Sequence, residues 1–256
     1  MALYNTKPVL LLLIPFLMLH KNSETSFEFS NFSGPYTNTI ITFQGDAFAS
    51  HGSIQLTRVQ NGSIMPFSSG RAAYALPVRL WDAKTRKMAS FTTTFSFVLL
   101  NAPNVGDGIT FFIAPFHSHI PQNSDGGYLG LFTPNSALRK TNQNQIVAVE
   151  FDTHQNDWDP DYLHIGIDVN SIASVKTVEW QNDNLGLETV FATVSYEPLT
   201  QNLSVVIRNG PMVSLSQVID LRTVLPEWVS VGFSGSTGLF VEVHKIQSWS
   251  FSSSFD

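Results

Sequence analysis

The chain of 256 residues carries 13% charged and 43% hydrophobic side chains, with Phe at 20 positions, a composition that excludes intrinsic disorder. A formal net charge of -6 offers no basic surface for phosphates, which argues against nucleic acid and anionic membranes as partners. With no cysteine, neither disulfides nor thiol chemistry contribute, and the core alone must hold the fold.

The N-terminus departs from the rest. Lys7 precedes an apolar run over residues 8–19 (PVLLLLIPFLML), and polar residues follow from His20 to Ser26. This is the layout of a secretory signal, cut at about residues 20–26, so residues 1–23 are read as signal and 24–256 as one domain. The run is shorter than the ~20 residues of a membrane-spanning helix, and Pro15 would break a buried helix. In an exported chain, Asn31-Phe-Ser33, Asn61-Gly-Ser63 and Asn202-Leu-Ser204 are glycan acceptor sequons.

Beyond the signal, alternation with period two dominates. Over residues 90–99, Phe91, Phe95, Phe97 and Leu99 share one strand face and Thr92, Thr94 and Ser96 the other. Further β-rich runs cover 109–114, 145–153, 163–169, 190–196, 203–208, 229–234 and 241–251. Turn clusters such as Asn101-Ala-Pro-Asn104 and Asn123-Ser-Asp-Gly-Gly127 separate them. Only residues 218–225 could form a short helical turn, stopped by Pro226. Many closely spaced strands without helical crossovers predict an all-β antiparallel sandwich or barrel, and the chain length favours the sandwich.

Polar residues concentrate between Val147 and Ile167. A strand over 145–154 would project Glu150, Asp152 and His154 from one face and Val149 and Phe151 from the other. Adjacent carboxylates repel, so a cation is expected between them. Asp152, Asn156, Asp159 and a backbone carbonyl form the flexible oxygen set that Ca²⁺ prefers. Glu150, Asp152, Asp159 and His164 form a carboxylate-rich set with one imidazole, suited to Mn²⁺ or another first-row metal. A solvated acidic loop is the alternative reading of the same spacing, though the apolar strand beneath it speaks against a mere surface feature.

Several separated motifs resemble the legume lectins over the whole mature chain. They are Ser26-Phe-Glu-Phe29, Phe43-Gln-Gly-Asp46-Ala47, the segment 106–115 (GDGITFFIAP), 126–132 (GGYLGLF), 147–153 (VAVEFDT), 164–171 (HIGIDVNS), Leu225-Pro-Glu-Trp228 and Ser248-Trp-Ser-Phe251. The resemblance implies a jelly-roll, concanavalin A-like sandwich with a flat back sheet, a curved front sheet, and two metals beneath a sugar site. It implies Mn²⁺ on Glu150, Asp152, Asp159 and His164, and Ca²⁺ on Asp152, Asn156, Asp159 and the main-chain carbonyl of His154. The sugar would meet the Asp107 carboxylate, the Asn156 amide, the Gly127 N–H, and the N–H groups of Leu239 and Phe240. A cis bond is implied before Asp107, where Gly106 replaces the usual Ala. His154 stands where the family usually has Phe or Tyr, whose ring stacks on the sugar. The final loop from Gly238 to Ser248 resembles in length the short-loop mannose/glucose-binding members.

These features predict a non-catalytic lectin whose partners are glycans and glycoproteins. By resemblance it is a homodimer or homotetramer, located in the secretory pathway and extracellular or vacuolar. A storage or defence protein with weakened sugar binding is an alternative, for which His154 is the best support. A glucan hydrolase fits less well. Its retaining mechanism needs two free carboxyl groups about 5 Å apart, whereas the next residue on the face of Glu150 and Asp152 is His154.

Overall fold

The computed structural model describes residues 24–99, 105–141, 143–180, 189–208 and 210–255. The segment over residues 1–23, expected to be a signal, and the expected turn at Asn101 to Asn104 lie outside the described residues. Strands in chain order are β1 (Thr25–Phe29), β2 (Ile41–Gly45), β3 (Phe48–Ser50), β4 (Ser53–Gln55), β5 (Val59–Gln60) and β6 (Ser63–Ile64). Next come β7 (Ser68–Tyr74), β8 (Val78–Arg79), β9 (Ser90–Leu99), β10 (Gly108–Pro115), β11 (Val147–Asp152) and β12 (His164–Val169). The last are β13 (Lys176–Glu179), β14 (Val190–Glu197), β15 (Asn202–Arg208), β16 (Met212–Val218), β17 (Trp228–Thr237) and β18 (His244–Ser254).

Two antiparallel sheets form the expected sandwich. One runs β16-β15-β14-β9-β18-β4-β3, with β1 also on β18; the other runs β13-β12-β11-β10-β17-β7-β2, with β8 also on β17. The inner faces interdigitate. Phe95 of β9 reaches across to Phe233 of β17 at 4.8 Å and to Phe151 of β11 at 5.9 Å between ring centroids. The alternation of β9 is as predicted, with Phe91, Phe95, Phe97 and Leu99 in this core and Thr92 and Thr94 exposed. Each fully buried Phe contributes on the order of 1.5–3 kcal/mol, and a core of this kind stands in for disulfides.

Strand β10 is buried on both faces. Ile109, Phe111 and Ile113 enter the main core, while Phe112 and Ala114 join a second cluster with Leu129, Leu131, Phe132 and Ile146. The chain after β10 therefore lies over the outer face of the second sheet. Arg71 of β7, 2% exposed, ties this covering down. Its guanidinium donates to the carbonyls of Gly130 at 2.7 Å, Leu131 at 3.3 Å and His119 at 3.3 Å, and burial lowers its pKa to about 10. Three carbonyls and the Phe112 ring, 4.9 Å away, replace the water a buried guanidinium would lose.

Boundaries moved where tertiary contacts decide them. The helical turn is a 3-10 turn over Leu221–Thr223, capped by the Asp220 carboxylate accepting from the Arg222 N–H, while Val218 still belongs to β16. Strand β18 begins at His244 rather than Val241, because the preceding residues form the rim of the site. Among the described residues, no helix is long and apolar enough to cross a membrane.

Candidate carbohydrate and metal site

The register of β11 against β12 builds the acidic cluster. Asp152 pairs with His164 and Glu150 with Gly166, so residues two apart on one strand meet the partner strand on the same face. Glu150, Asp152 and His164 are all buried, and one ligand atom from each lies within 4.8 Å of the others. His164 Nε2 is 3.0 Å from Glu150 Oε1. Gly166 is required for close approach, since a Cβ there would lie 2.2 Å from Glu150 Oε1 and 2.0 Å from Ser174 Oγ.

Too many acids share this space. Desolvation, then the charges of Glu150 and Asp159, hold Asp152 well above the usual carboxylate range. Asp159 is pushed up to about 6, chiefly by burial, against the hydrogen bond from the Asn156 N–H. Burial alone would lower His164, yet its hydrogen bond to Glu150 and the neighbouring negative charges leave it raised. Burial and Glu150 likewise raise Asp168 well above its ordinary value. Ser174 Oγ lies 2.6 Å from Glu150 Oε1 and 2.7 Å from Asp168 Oδ1. One hydroxyl proton cannot serve both acids at once, which adds to the crowding of the cluster.

The chain then turns around its own carboxylates. Asp152 Oδ1 accepts from the His154 N–H at 2.8 Å, and Asp159 Oδ2 from the Asn156 N–H at 2.7 Å. Within the cluster Glu150 Oε2 and Asn156 Oδ1, and beside it Asp107 Oδ2, are buried without a hydrogen-bond partner. Stranded donor atoms on a hard-oxygen set with one imidazole fit divalent cations.

The residues expected to meet a sugar lie beside this cluster. The Gly106-Asp107 peptide is cis, as the resemblance implied. Asp107 is 3% exposed; burial raises its pKa to about 7, against a hydrogen bond from the Gly238 N–H, with Glu242, Asp125 and Asp159 adding to the rise. Gly127 lies hard against Asn156, where a Cβ would fall 2.0 Å from Asn156 Oδ1. Tyr128 stacks on Trp158 at 5.6 Å, clamping the Gly126–Tyr128 turn to the loop that carries Asn156 and Asp159. The Phe240 ring lies 4.8 Å from His154 at 49°, and Leu239, 79% exposed, stands on the rim.

Of the four side chains expected around the transition metal, Glu150, Asp152 and His164 come together, while Asp159 stands outside that three-residue cluster, near enough for its charge to act on Asp152 and His164. Another placement differs from the sequence expectation: the strand ends at Asp152, so the His154 ring does not continue the face of Glu150 and Asp152 but packs on Phe240. Sequence reasoning missed Ser174, Asp168, Gly238 and Glu242. The first two lie within or just beyond the motif that carries His164, and only the β11–β12 register shows that they reach Glu150. Of the sequons, Asn31 and Asn61 are exposed, and Asn202 is half-buried at the start of β15.

Comparison with known proteins agrees with this architecture. The legume lectin domain matches residues 24–256. "Lectin 7" of Medicago truncatula is 53% identical, covering 98% of this chain and 97% of that protein. The "Mannose/glucose-specific lectin" of Centrolobium tomentosum is 48% identical over 89% of this chain and 95% of its own. Among solved structures, the lectin from Bauhinia forficata in complex with GalNAc superposes with a TM-score of 0.83 at 40% identity, covering 91% of this chain and 99% of that one. The chain belongs to the legume lectin family and is a carbohydrate-binding protein rather than an enzyme.

Proposed function

We propose that the protein binds mannose/glucose-type glycans in a Ca²⁺- and Mn²⁺-dependent manner. The observation that carries this reading is the buried Asp107 carboxylate, with Oδ2 lacking a partner, close to the Asn156 amide and the open backbone of Gly127. Asp107 accepts from two sugar hydroxyls, Asn156 donates, and the Gly127 N–H approaches closely for want of a side chain. The N–H groups of Leu239 and Phe240 face further hydroxyls, while the His154–Phe240 pair offers an apolar patch. Glu150, Asp152, Asp159 and His164 would hold Mn²⁺; Asp152, Asn156, Asp159 and the His154 carbonyl would hold Ca²⁺. When bound, the cations neutralise the crowded acids and fix the Asn156 side chain.

The mannose/glucose assignment rests on the short final loop and is supported by the specificity named for the Centrolobium relative; the Bauhinia structure holds GalNAc instead. Single-site affinity for a polar sugar is weak, so several sites per particle are needed for avidity. Phe191 and Met212, in register across β15, and Val218 at the far end of β16 are exposed on a face of the first sheet otherwise rich in Ser and Thr, and this face is assigned to self-association as a dimer or tetramer. Secretion or vacuolar deposition follows from the signal-like N-terminus, and exposed Asn31 and Asn61 are then the better placed glycan acceptors.

Calorimetry with methyl mannoside, methyl galactoside and the apo protein tests this reading. Binding of the mannoside with both cations, and none after chelation, is expected. Asp107→Ala should abolish sugar binding while leaving cation binding and the circular dichroism spectrum intact. Mannoside binding retained by that variant, or preference for the galactoside, overturns the assignment.

A further inference from the structure

Thr153 lies where the cation loop, the sugar carboxylate and the final loop meet. Its N–H donates to the Asp107 carbonyl at 3.0 Å, and its hydroxyl donates to Glu242 Oε1 at 2.5 Å. Thr153 is 3% exposed and Glu242 1%, so this bond is dry and its acceptor is a carboxylate, the conditions under which a hydrogen bond is strongest.

The same Glu242 oxygen takes a second contact. His244 Nε2 lies 3.0 Å from Glu242 Oε1, and His244 Nδ1 is 3.1 Å from Thr57 Oγ1. The His244 carbonyl in turn accepts from the Leu56 N–H at 3.0 Å. The base of the final loop is therefore anchored to the first sheet by His244, and to the cation loop by Thr153. Phe240, two residues before Glu242, carries the ring that meets His154.

We propose that the Thr153–Glu242 hydrogen bond is a latch through which cation occupancy orders the monosaccharide-selecting loop over residues 238–243. The inference rests on reading this site as a cation-dependent sugar site. Thr153 lies between Asp152 and His154, so neutralising the repulsion between Asp152 and Asp159 fixes its backbone and aims its hydroxyl at Glu242. Thr153 and Glu242 act as positioning residues. Because coupling is reciprocal, sugar contacts that order residues 238–243 raise cation affinity by the same factor.

Hydrogen exchange on the full mature chain, with and without Ca²⁺ and Mn²⁺ and with no sugar present, tests the latch. In the wild type, cations should slow amide exchange in residues 238–243 about tenfold, the size of a modest local-stability change. Thr153→Ser and Glu242→Gln keep a donor and an acceptor and should retain that protection. Thr153→Val and Glu242→Met should reduce it to less than about twofold while calorimetry still finds cation binding. If Thr153→Val loses the cations themselves, Glu242→Met decides, since its side chain is outside both ligand sets. Full protection in Glu242→Met, or none in the wild type, overturns the latch. A wild type that shows the protection yet binds no mannoside leaves the latch standing and sinks the sugar assignment alone.

Discussion

His154 gives the site its individual character. Its imidazole packs at 49° on Phe240 and is smaller and more polar than a phenyl ring, so it supplies less stacking surface to a sugar ring than Phe or Tyr would. The neighbouring Gly106 is part of the same arrangement: a Cβ there would lie 2.9 Å from the His154 Cβ and 3.5 Å from the Phe240 Cβ. The pair is drawn in against the backbone at a position where an alanine methyl would push it away. His154→Phe restores a larger apolar ring on the same backbone and should tighten methyl mannoside binding by about threefold to tenfold, the value of one added aromatic contact. Equal or weaker binding by calorimetry would show that a polar contact from the imidazole outweighs lost stacking.

At the scale of elements, the loop between β11 and β12 converts strand register into a charge trap, and its behaviour should follow pH. In the cation-free chain burial raises Asp159 to about 6 and Asp107 to about 7, both from 3.8. A raised carboxyl pKa means that the folded state binds more protons than the unfolded one, so cation-free stability falls as pH rises from about 4 to 7. Cations and protons compete for the same oxygens, so cation affinity climbs over that window. With Ca²⁺ near half-saturation, mannoside affinity should fall on acidification from pH 7 to 5, and added Ca²⁺ should restore the part that Asp159 controls; a loss wholly indifferent to Ca²⁺ would place the titration at Asp107, the sugar acceptor. The acids of this loop were legible because Glu150 and Asp152 alternate on a strand whose other face is Val149 and Phe151, a pattern that needs only local geometry. Asp107, Gly127 and the final loop came from family resemblance, since nothing in their spacing says they meet Asn156. Strand β7 gave no signal: Ser68-Ser-Gly-Arg-Ala-Ala-Tyr74 is mostly small and polar, and it becomes a buried strand through its ladders with β17 and β2, with Gly130, Leu131 and His119 supplying acceptors to the buried Arg71. Glu242 was hidden for the same reason, its partner Thr153 lying 89 positions away.

The whole molecule joins these parts by wedging the site between an aromatic core and a polar cluster that is unfinished without cations. Trp249 shows how tightly the sheets are tied: its ring is 4.8 Å from Phe233 across the sandwich, and its Nε1 donates to Thr93 Oγ1 at 2.9 Å. Below that core, β10 and β11 run directly into Asp107 and Asp152, so strain among the acids is borne by central strands rather than by a detachable loop. Cation binding should therefore register as global stability. A ligand at a hundred times its dissociation constant adds about 2.7 kcal/mol per site, and a domain of this size gains about 2–4 °C per kcal/mol. Saturating Ca²⁺ and Mn²⁺ should raise the melting temperature by about 5–10 °C for each site filled over the chelated protein. Scanning calorimetry can separate this from sugar binding. Asp107→Ala, outside both proposed ligand sets, should keep the shift. Glu150→Gln, which removes a charge that repels Asp152 and Asp159, should raise the melting point of the chelated protein while shrinking the cation-induced gain. A melting temperature indifferent to the chelator would mean that the unpartnered Glu150 Oε2 and Asn156 Oδ1 are satisfied by something other than cations.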